Sequence, residues 1–309
     1  MIVCIGEILA DMIGFKQGEN SVSYSRFAGG APFNVACNIQ KLGGNAGFVG
    51  SVGSDAIGRF LSSWANNAGF SYLNLKQDDL HNTTLAFVEL DGAGERSFSF
   101  YRKNTADYFI DFKQVEEGIK NASIVHLGSL MLSEKYGEKL ADYVVKLTKE
   151  SGKLLSFDVN YREDIFKDQA HAIKVYKKYL KHANVVKLSE DELYTFAKTT
   201  VLNDALKKVA RKNQLLFVTL GSKGSVAVYN QIVCKQESIK VKVVDTTGAG
   251  DAFYAGVLSR LDGLDFSSLT KEQLSNALKF GNVCGALTAS GYGAVDACPS
   301  EEEVLSKLG

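Results

Sequence analysis

Residues 245–253 read Asp-Thr-Thr-Gly-Ala-Gly-Asp-Ala-Phe, a glycine-rich turn that leads directly into a predicted helix. The small residues Gly248, Ala249 and Gly250 let backbone N–H groups approach an anion closely, and the dipole of the following helix favours negative charge there. Asp251, in the first turn of that helix, would lie beside a bound phosphate as a proton acceptor. The alternative is an ordinary helix start, in which the glycines only make a tight turn and Asp251 only caps the helix.

Around this stretch, apolar runs of strand length alternate with longer amphipathic segments, which predicts an α/β fold with a mostly parallel central sheet and helices on both faces. The predicted strands are Ile2–Ile5, Ala46–Val52, Ser123–Leu127, Leu154–Phe157, Val185–Leu188 and Leu215–Leu220. The predicted helices are Ala31–Leu42, one capped at Ser54-Asp55 that ends near Gly69, Glu134–Glu150, Asp191–Lys198, Asp204–Lys212, Gly250–Leu261 and Lys271–Ala289. Since no repeat or linker divides the chain, we expect one domain over residues 1–309.

Two segments in the N-terminal third interrupt the alternation. Residues 11–27 and 84–101 both have strand-like patterning, and the second contains a hairpin turn signal at Asp91-Gly92-Ala93-Gly94. No helix fits between the two arms of that hairpin. We therefore predict that both segments form a small β-sheet that projects from the main domain and acts as a lid.

The charge composition gives no electrostatic attraction for nucleic acid or anionic membranes, because 35 basic residues balance 35 acidic ones. The N-terminal residues 1–6 lack a basic region and are soon followed by Glu7 and Asp11, so they predict neither a signal peptide nor a membrane anchor. We expect a cytoplasmic protein. The five cysteines are far apart and form no Cys-x-x-Cys, so we interpret them as small buried hydrophobic residues, and His126 as a core residue.

A second glycine site occurs at residues 27–34, Phe-Ala-Gly-Gly-Ala-Pro-Phe-Asn. Gly29 and Gly30 allow a hydroxyl-rich ligand to approach the backbone, and Asn34 offers both a donor and an acceptor for sugar hydroxyls. On its own the pattern is also typical of a capped helix. Together with residues 245–253, however, it resembles the signatures of the ribokinase-like (PfkB-type) carbohydrate kinase family, and the resemblance covers essentially the whole chain.

Within that family the sequence is most similar to the fructokinase branch. The matching motifs are Gly6-Glu7-Ile8-Leu9-Ala10-Asp11, Phe100-Tyr101-Arg102, Phe157-Asp158-Val159-Asn160-Tyr161-Arg162 and Lys187-Leu188-Ser189-Glu190-Asp191-Glu192. Each places polar groups at a predicted strand end, where open α/β sheets build their sites. The resemblance implies a ribokinase-like three-layer fold with a small β-sheet lid.

The resemblance also implies roles for individual residues. Asp251 would be the catalytic base, and Gly248, Ala249 and Gly250 would form the anion hole for the transferring phosphoryl group. The residues implied in sugar binding are Asp11, Gly29, Gly30, Asn34, Arg102, Asn160 and Arg162. For the two arginines the alternative is an ordinary surface position.

A nucleotide site is implied in the C-terminal half, with Thr219, Gly221, Ser222 and Gly224 in a loop under ATP, Asn282 beside the adenine, and Lys187 at the phosphates. The alternatives are a strand-to-strand turn for the glycines and a lysine without a role. Mg²⁺ is implied through Glu192 by way of water, with Ser189 where many relatives have Asn. Asp245 and Thr247 match positions that line a potassium site in several relatives.

These roles imply a kinase that uses ATP and Mg²⁺ to phosphorylate a primary hydroxyl of a ketohexose, with fructose as the preferred candidate. A kinase for 2-keto-3-deoxygluconate or a riboside is an alternative within the family. An alternative from another class is a catalytically silent regulator that binds sugar or nucleotide on the same fold. The family resemblance further suggests a homodimer formed through the lid, although an exposed small sheet is equally compatible with a monomer.

Overall fold

In the computed structural model, which describes residues 1–16, 21–90, 96–162, 165–166 and 168–308, strands and helices alternate along most of the chain. The strands are β1 (Ile2–Ile5), β2 (Leu9–Lys16), β3 (Val22–Gly29), β4 (Ala46–Gly53), β5 (Tyr72–Asp78), β6 (Leu85–Leu90), β7 (Arg96–Tyr101), β8 (Ile124–Leu127), β9 (Leu154–Asp158), β10 (Val185–Ser189), β11 (Leu215–Thr219), β12 (Ser225–Tyr229) and β13 (Ile232–Gln236). The helices are α1 (Ala31–Lys41), α2 (Ala56–Asn67), α3 (Phe112–Asn121), α4 (Lys135–Glu150), α5 (Gln169–His182), α6 (Glu190–Ala197), α7 (Leu202–Val209), α8 (Ala249–Leu261), α9 (Lys271–Thr288) and α10 (Glu301–Leu308).

Over the described residues, the larger sheet has nine strands in the order β13-β12-β11-β10-β9-β8-β1-β4-β5. The strands from β11 to β5 are parallel, and β12 and β13 add an antiparallel hairpin at one edge. Core clusters of buried side chains lie on its two faces, with Cys4 of β1 in one and Val3 in the other. The predicted α/β fold is confirmed. The sequence patterns did not predict β5, β12, β13, α3, α5 and α10.

Local sequence signals explain where the predicted helices begin. Pro32 stands in the first turn of α1, where its missing N–H costs no hydrogen bond. Asp55 caps α2, because its carboxylate accepts a 2.7 Å hydrogen bond from the N–H of Gly58. Thr270 and Gln273 form a capping box at the start of α9.

A smaller sheet, with the order β3-β2-β6-β7, is formed by the two segments that interrupt the alternation. Its strands pair so that Asp11 lies opposite Ala86, and Ala86 lies opposite Phe100. Because residues opposite one another share a face, Asp11 and Phe100 point to the same side of the small sheet. The separate small sheet is as predicted, whereas the turn expected at residues 91–94 lies outside the described residues.

The buried interior agrees with two further expectations. Cys4, Cys37, Cys234, Cys284 and Cys298 are all free and buried. His126 is buried in β8, and burial, reinforced by the charge of Lys187, lowers its pKa to about 3, so its imidazole is neutral. No helix in the described part of the chain combines the length and apolar character needed to cross a bilayer.

Candidate active site

Two cavities adjoin at the glycine-rich turn before α8. The first, of about 670 Å³, is lined by both the small sheet and the carboxyl ends of parallel strands, and the second, of about 520 Å³, lies on the side of β11–β13. Both are lined by Val243, Thr246 and Gly250, so these three residues form a shared wall. A crevice at the carboxyl ends of parallel strands is where α/β proteins bind ligands.

The cavities bring together most of the residues that the sequence singled out. Those lining the first are Asp11, Gly30, Asn34, Asn160, Arg162, Lys187, Asp245, Thr247, Gly248, Gly250 and Asp251. Those lining the second are Thr219, Gly221, Ser222, Gly224, Ala249, Gly250 and Asn282. The sugar-side and nucleotide-side predictions therefore separate into two neighbouring cavities with the glycine-rich turn between them.

Asp251 projects from the first turn of α8 into the first cavity. Helix α8 packs against α1, and this contact brings Asn34 Nδ2 to 2.8 Å from Asp251 Oδ2, where the amide donates a hydrogen bond to the carboxylate. Burial raises the pKa of the Asp251 carboxyl, while the bond from Asn34 and the charges of Lys187 and Arg162 act in the opposite direction. The environment therefore suits a proton acceptor held in a fixed orientation.

The turn itself requires glycine. Gly248 has φ of 74°, and a Cβ placed there would lie 2.4 Å from the Cβ of Ala294. A Cβ on Gly250 would lie 3.1 Å from the Nζ of Lys187, so a side chain there would crowd the space between helix and ammonium group. The start of α8 and the Lys187 ammonium thus face each other, an arrangement that favours an anion between them.

Lys187 is buried in β10 and pairs with Asp158 at the end of β9, with 2.9 Å between Nζ and Oδ2. Burial disfavours the charged ammonium, but the carboxylates of Asp158, Glu192 and Asp251 outweigh this effect and raise the pKa of Lys187. The lysine is therefore a permanent positive charge on the wall of the first cavity. This burial argues against an exposed lysine without a role.

Glycine also shapes the part of the first cavity near Asp11. A Cβ on Gly29 would lie 2.2 Å from Asp11 Oδ2, so the carboxylate occupies space that only glycine leaves open. At Gly30, φ is 113° and a Cβ would lie 2.6 Å from the carbonyl oxygen of Glu7. Asn160 also has a positive φ, of 37°, a conformation that Asn adopts more readily than most residues.

Arg102 is placed differently from the sequence prediction. Its guanidinium is buried, donates from Nε to Asp107 Oδ2 at 2.8 Å and from Nη1 to the carbonyl oxygen of Leu130 at 2.7 Å, and does not line the first cavity. Leu130 itself does line it. Arg102 thus contacts the lining of the first cavity indirectly, through its hydrogen bond to Leu130.

The predicted metal residues are engaged with the backbone. Glu192 closes a capping box, in which Oε2 accepts from the N–H of Ser189 at 2.7 Å, and its Oε1 accepts from the N–H of Tyr161 at 2.6 Å. Asp245 accepts from the N–H groups of Thr247 at 2.8 Å and Gly293 at 3.1 Å. Among the described residues, no three His, Cys, Asp or Glu side chains gather as a metal-binding group.

The second cavity is framed by a hydrogen-bonded amide. Asn282 in α9 accepts from the hydroxyl of Ser225 at 2.7 Å and donates to the carbonyl oxygens of Gln236 and Glu237 at 3.2 and 3.1 Å. Gly224 has φ of 97°, and a Cβ there would lie 2.0 Å from the oxygen of Gln236. Asn282 therefore fixes the β12–β13 edge of this cavity in addition to lining it.

Sequence reasoning missed the apolar part of the first cavity, which is formed by Leu9, Phe100, Leu130, Val243 and Val244. Two signals could have found some of these residues. Phe100 belongs to the matched motif Phe100-Tyr101-Arg102, and Val243 and Val244 immediately precede the glycine-rich turn.

The chain is similar to known proteins over nearly its whole length. The pattern of the pfkB family carbohydrate kinases matches residues 1–301. Fructokinase-1 of Oryza sativa subsp. japonica is 36% identical over 314 residues, which cover 100% of this chain and 97% of the relative. The crystal structure of a fructokinase with bound ATP from Xylella fastidiosa has a TM-score of 0.90 at 31% identity, covering 99% of this chain and 97% of that one.

Two further structures are of the fructokinase from Vibrio cholerae O395. The form with fructose, ADP and calcium ion bound has a TM-score of 0.87, and a double mutant with fructose, ADP and potassium ion bound has a TM-score of 0.89. Each is 31% identical to this chain, with 100% of this chain and 98% of that chain covered.

Proposed function

Because the chain belongs to the pfkB family of carbohydrate kinases, we propose that it is an ATP-dependent fructokinase, which transfers the γ-phosphoryl group of ATP to a primary hydroxyl of fructose. The observation that carries the proposal is the position of Asp251, which lines the first cavity, follows Gly250 of the shared wall and is bonded to Asn34. A sugar in the first cavity and ATP in the second would present hydroxyl and phosphate to each other across the shared wall.

In this mechanism Asp251 aligns the attacking hydroxyl and accepts its proton as the bond to phosphorus forms. Asn34 keeps the carboxylate in one orientation through its 2.8 Å hydrogen bond. The start of α8 at Gly248, Ala249 and Gly250, together with the Lys187 ammonium, stabilises the negative charge of the transferring group. Asp11, Gly30, Asn160 and Arg162, which line the first cavity, would bind the sugar.

A divalent ion fits the carboxylates beside Lys187. Both carboxylate oxygens of Glu192 accept hydrogen bonds from N–H groups, which suits contact with the ion through water. Asp158 Oδ1 is buried with no hydrogen-bond partner among the described residues. Carboxylate oxygens and water are the ligands that Mg²⁺ prefers. When bound, Mg²⁺ would offset the charge of the nucleotide phosphates.

For a monovalent ion, we propose the loop that Asp245 organises through its bonds to the N–H groups of Thr247 and Gly293. A potassium ion in this loop would stabilise the conformation of the adjacent glycine-rich turn. Chloride salts of K⁺ and Na⁺ at equal ionic strength should therefore give different kcat values, with K⁺ the better activator.

The experiment is a coupled assay that detects ADP only when sugar is present, with fructose, 2-keto-3-deoxygluconate and a riboside as candidate substrates. We expect the highest kcat/KM with fructose. Preference for one of the other sugars would reject the fructose assignment, and binding of sugar and ATP without ADP formation would indicate a silent regulator.

We also propose a homodimer formed by the outer face of the small sheet. On that face Val22, Tyr24 and Tyr101 are 51%, 40% and 65% exposed, and the Phe87 ring lies 5.2 Å from both tyrosine rings. Contiguous exposed aromatic surface is typical of interfaces. Sedimentation velocity should show a dimer that Tyr24→Glu dissociates, and a wild-type monomer at all concentrations would reject the dimer.

A cytoplasmic location is proposed as well, since the five buried thiols are unpaired.

A further inference from the structure

The small sheet is attached to the rest of the protein at a buried cluster of polar side chains. Over the described residues, the chain passes between the two sheets four times, and the crossings at residues 79–84 and 102–108 are bound to each other there. We name Thr84, Arg102, Thr105 and Asp107 the root cluster. Thr84 immediately precedes β6 and Arg102 immediately follows β7, so the cluster lies where these strands leave the small sheet.

Asp107 is the centre of the root cluster, because both of its carboxylate oxygens accept hydrogen bonds. Oδ1 accepts from the hydroxyls of Thr84 at 2.5 Å and Thr105 at 2.7 Å, and Oδ2 accepts from Nε of Arg102 at 2.8 Å. The hydroxyl oxygens of Thr84 and Thr105 lie 2.7 Å apart, so the three side chains are in mutual contact. Charge-assisted bonds of this kind have well-defined geometry.

The cluster is closed to water, since the side chains of Arg102 and Asp107 are 2% and 1% exposed. The guanidinium stacks on the ring of Tyr108 at 4.1 Å and donates to the carbonyl oxygen of Leu130. A buried ion pair is weak evidence for stability, and in some proteins its role is to select one conformation. Here Arg102 follows the end of β7 in the small sheet and contacts Leu130, which lines the first cavity. The selected conformation therefore connects the small sheet to the cavity wall.

We propose that Thr84, Arg102 and Asp107 are positioning residues, which hold the small sheet at the angle that places Asp11 and Phe100 against the sugar. This inference rests on the proposed function. Thr84 immediately precedes β6, whose Ala86 pairs with Asp11 on one side and Phe100 on the other. A displacement of the root cluster is therefore transmitted to both cavity residues by the strand pairing, and small misplacements of binding groups weaken catalysis strongly.

The test is Thr84→Val, which removes the hydroxyl, keeps the volume and leaves the Arg102–Asp107 pair intact. Thr84 is fully buried and does not line the first cavity. The matched control is Thr148→Val in α4, a buried threonine whose hydroxyl has no hydrogen-bond partner among the described residues. We expect Thr84→Val to raise the KM for fructose about tenfold, because a displaced Asp11 would lose about one hydrogen bond to the sugar, with the KM for ATP unchanged.

Hydrogen exchange supplies a readout that needs no activity. Amides of β2 and β6 should exchange faster in Thr84→Val than in Thr148→Val, while those of β1 and β8 stay unchanged. If Thr84→Val fails to fold, Thr105→Val removes the other hydroxyl and should give the same pattern. Equal KM values for fructose in the threonine variants and their control, or equal losses for fructose and ATP, would overturn the proposal. Failure of the proposed function would appear instead as absent fructose-dependent ADP formation in the wild type.

Discussion

The side-chain amide of Asn34 donates a 2.8 Å hydrogen bond to the carboxylate of Asp251, and this contact joins a proposed sugar-binding residue to the proposed catalytic base. The bond orients the carboxylate and lowers the pKa of Asp251, in opposition to burial, which raises it. Asn34 and Asp251 are therefore best understood as one unit, in which the first residue orients the second and favours its charged form.

This relationship predicts a shifted pH profile for Asn34→Ala. Asp251 must be deprotonated to accept a proton, so activity is lost as the pH falls through its pKa. The bond from Asn34 lowers that pKa, and its removal should move the acidic limb of kcat/KM to higher pH. Asn38→Ala, a buried position in the same helix, is the control. A limb that stays in place, or moves equally in the control, would contradict the assignment.

Asp251→Asn should lower kcat by ~10²–10⁴-fold, the range for loss of a positioned general base. Asn keeps the size of the side chain and supports a helix start about as well as Asp, so the melting temperature and ATP affinity should change little. Single-turnover kinetics with fructose would check the value. A variant that retains more than about a tenth of the wild-type chemical rate would remove Asp251 from the mechanism.

Gly29→Ala should mimic Asp11→Ala, because its Cβ would lie 2.2 Å from the Asp11 carboxylate and displace it. Each single variant should raise the KM for fructose, by roughly 10–100-fold for one or two lost hydrogen bonds, and leave the KM for ATP nearly unchanged. In the double variant, the alanine at position 29 should add almost nothing, since its clash partner is gone. Additive effects on KM would show that Gly29 acts by another route.

Glu7 is fully buried, and neither carboxylate oxygen has a hydrogen-bond partner among the described residues. Burial raises its pKa from 4.5 to about 7. Between those values the folded state holds a proton that the unfolded state releases, so its stability falls as pH rises. Glu7→Gln should remove this penalty and gain up to about 3 kcal/mol relative to wild type between pH 4.5 and 8. Urea unfolding of the wild type and of Glu7→Gln at pH 4.5 and pH 8 measures this gain. A difference in unfolding free energy between the two proteins that is the same at both pH values would contradict the prediction.

The fold could be predicted where strands are fully apolar. Ile2–Ile5 and Leu215–Thr219 are buried on both faces of a parallel sheet, and such strands appear as continuous hydrophobic runs. The edge strand β5, with the sequence Tyr-Leu-Asn-Leu-Lys-Gln-Asp, is only partly buried and mixes polar with apolar residues. Its pairing with β4 is a tertiary contact, and local sequence carries little of that information.

Many of the polar residues that line the two cavities could be singled out from sequence, because glycine turns and carboxylates have recognisable spacing. The environment of Arg102 could not. Its partner Asp107 is five residues away along the chain, but burial of the pair depends on how two crossings between the sheets meet. Sequence showed a positively charged side chain at a strand end, and packing determined that it faces a carboxylate and not the cavity.

The packing of α8 on α1 has a consequence for synthesis of the protein. Asn34 and Asp251 are 217 residues apart, an interval that takes roughly 10–40 s to translate. During this time a nascent chain carries Asp11 and Asn34 but lacks Asp251, the glycine-rich turn and α9. Under the proposed mechanism, an incomplete chain on the ribosome can therefore neither phosphorylate sugar nor consume ATP through this site until the segment from Asp245 onward has docked.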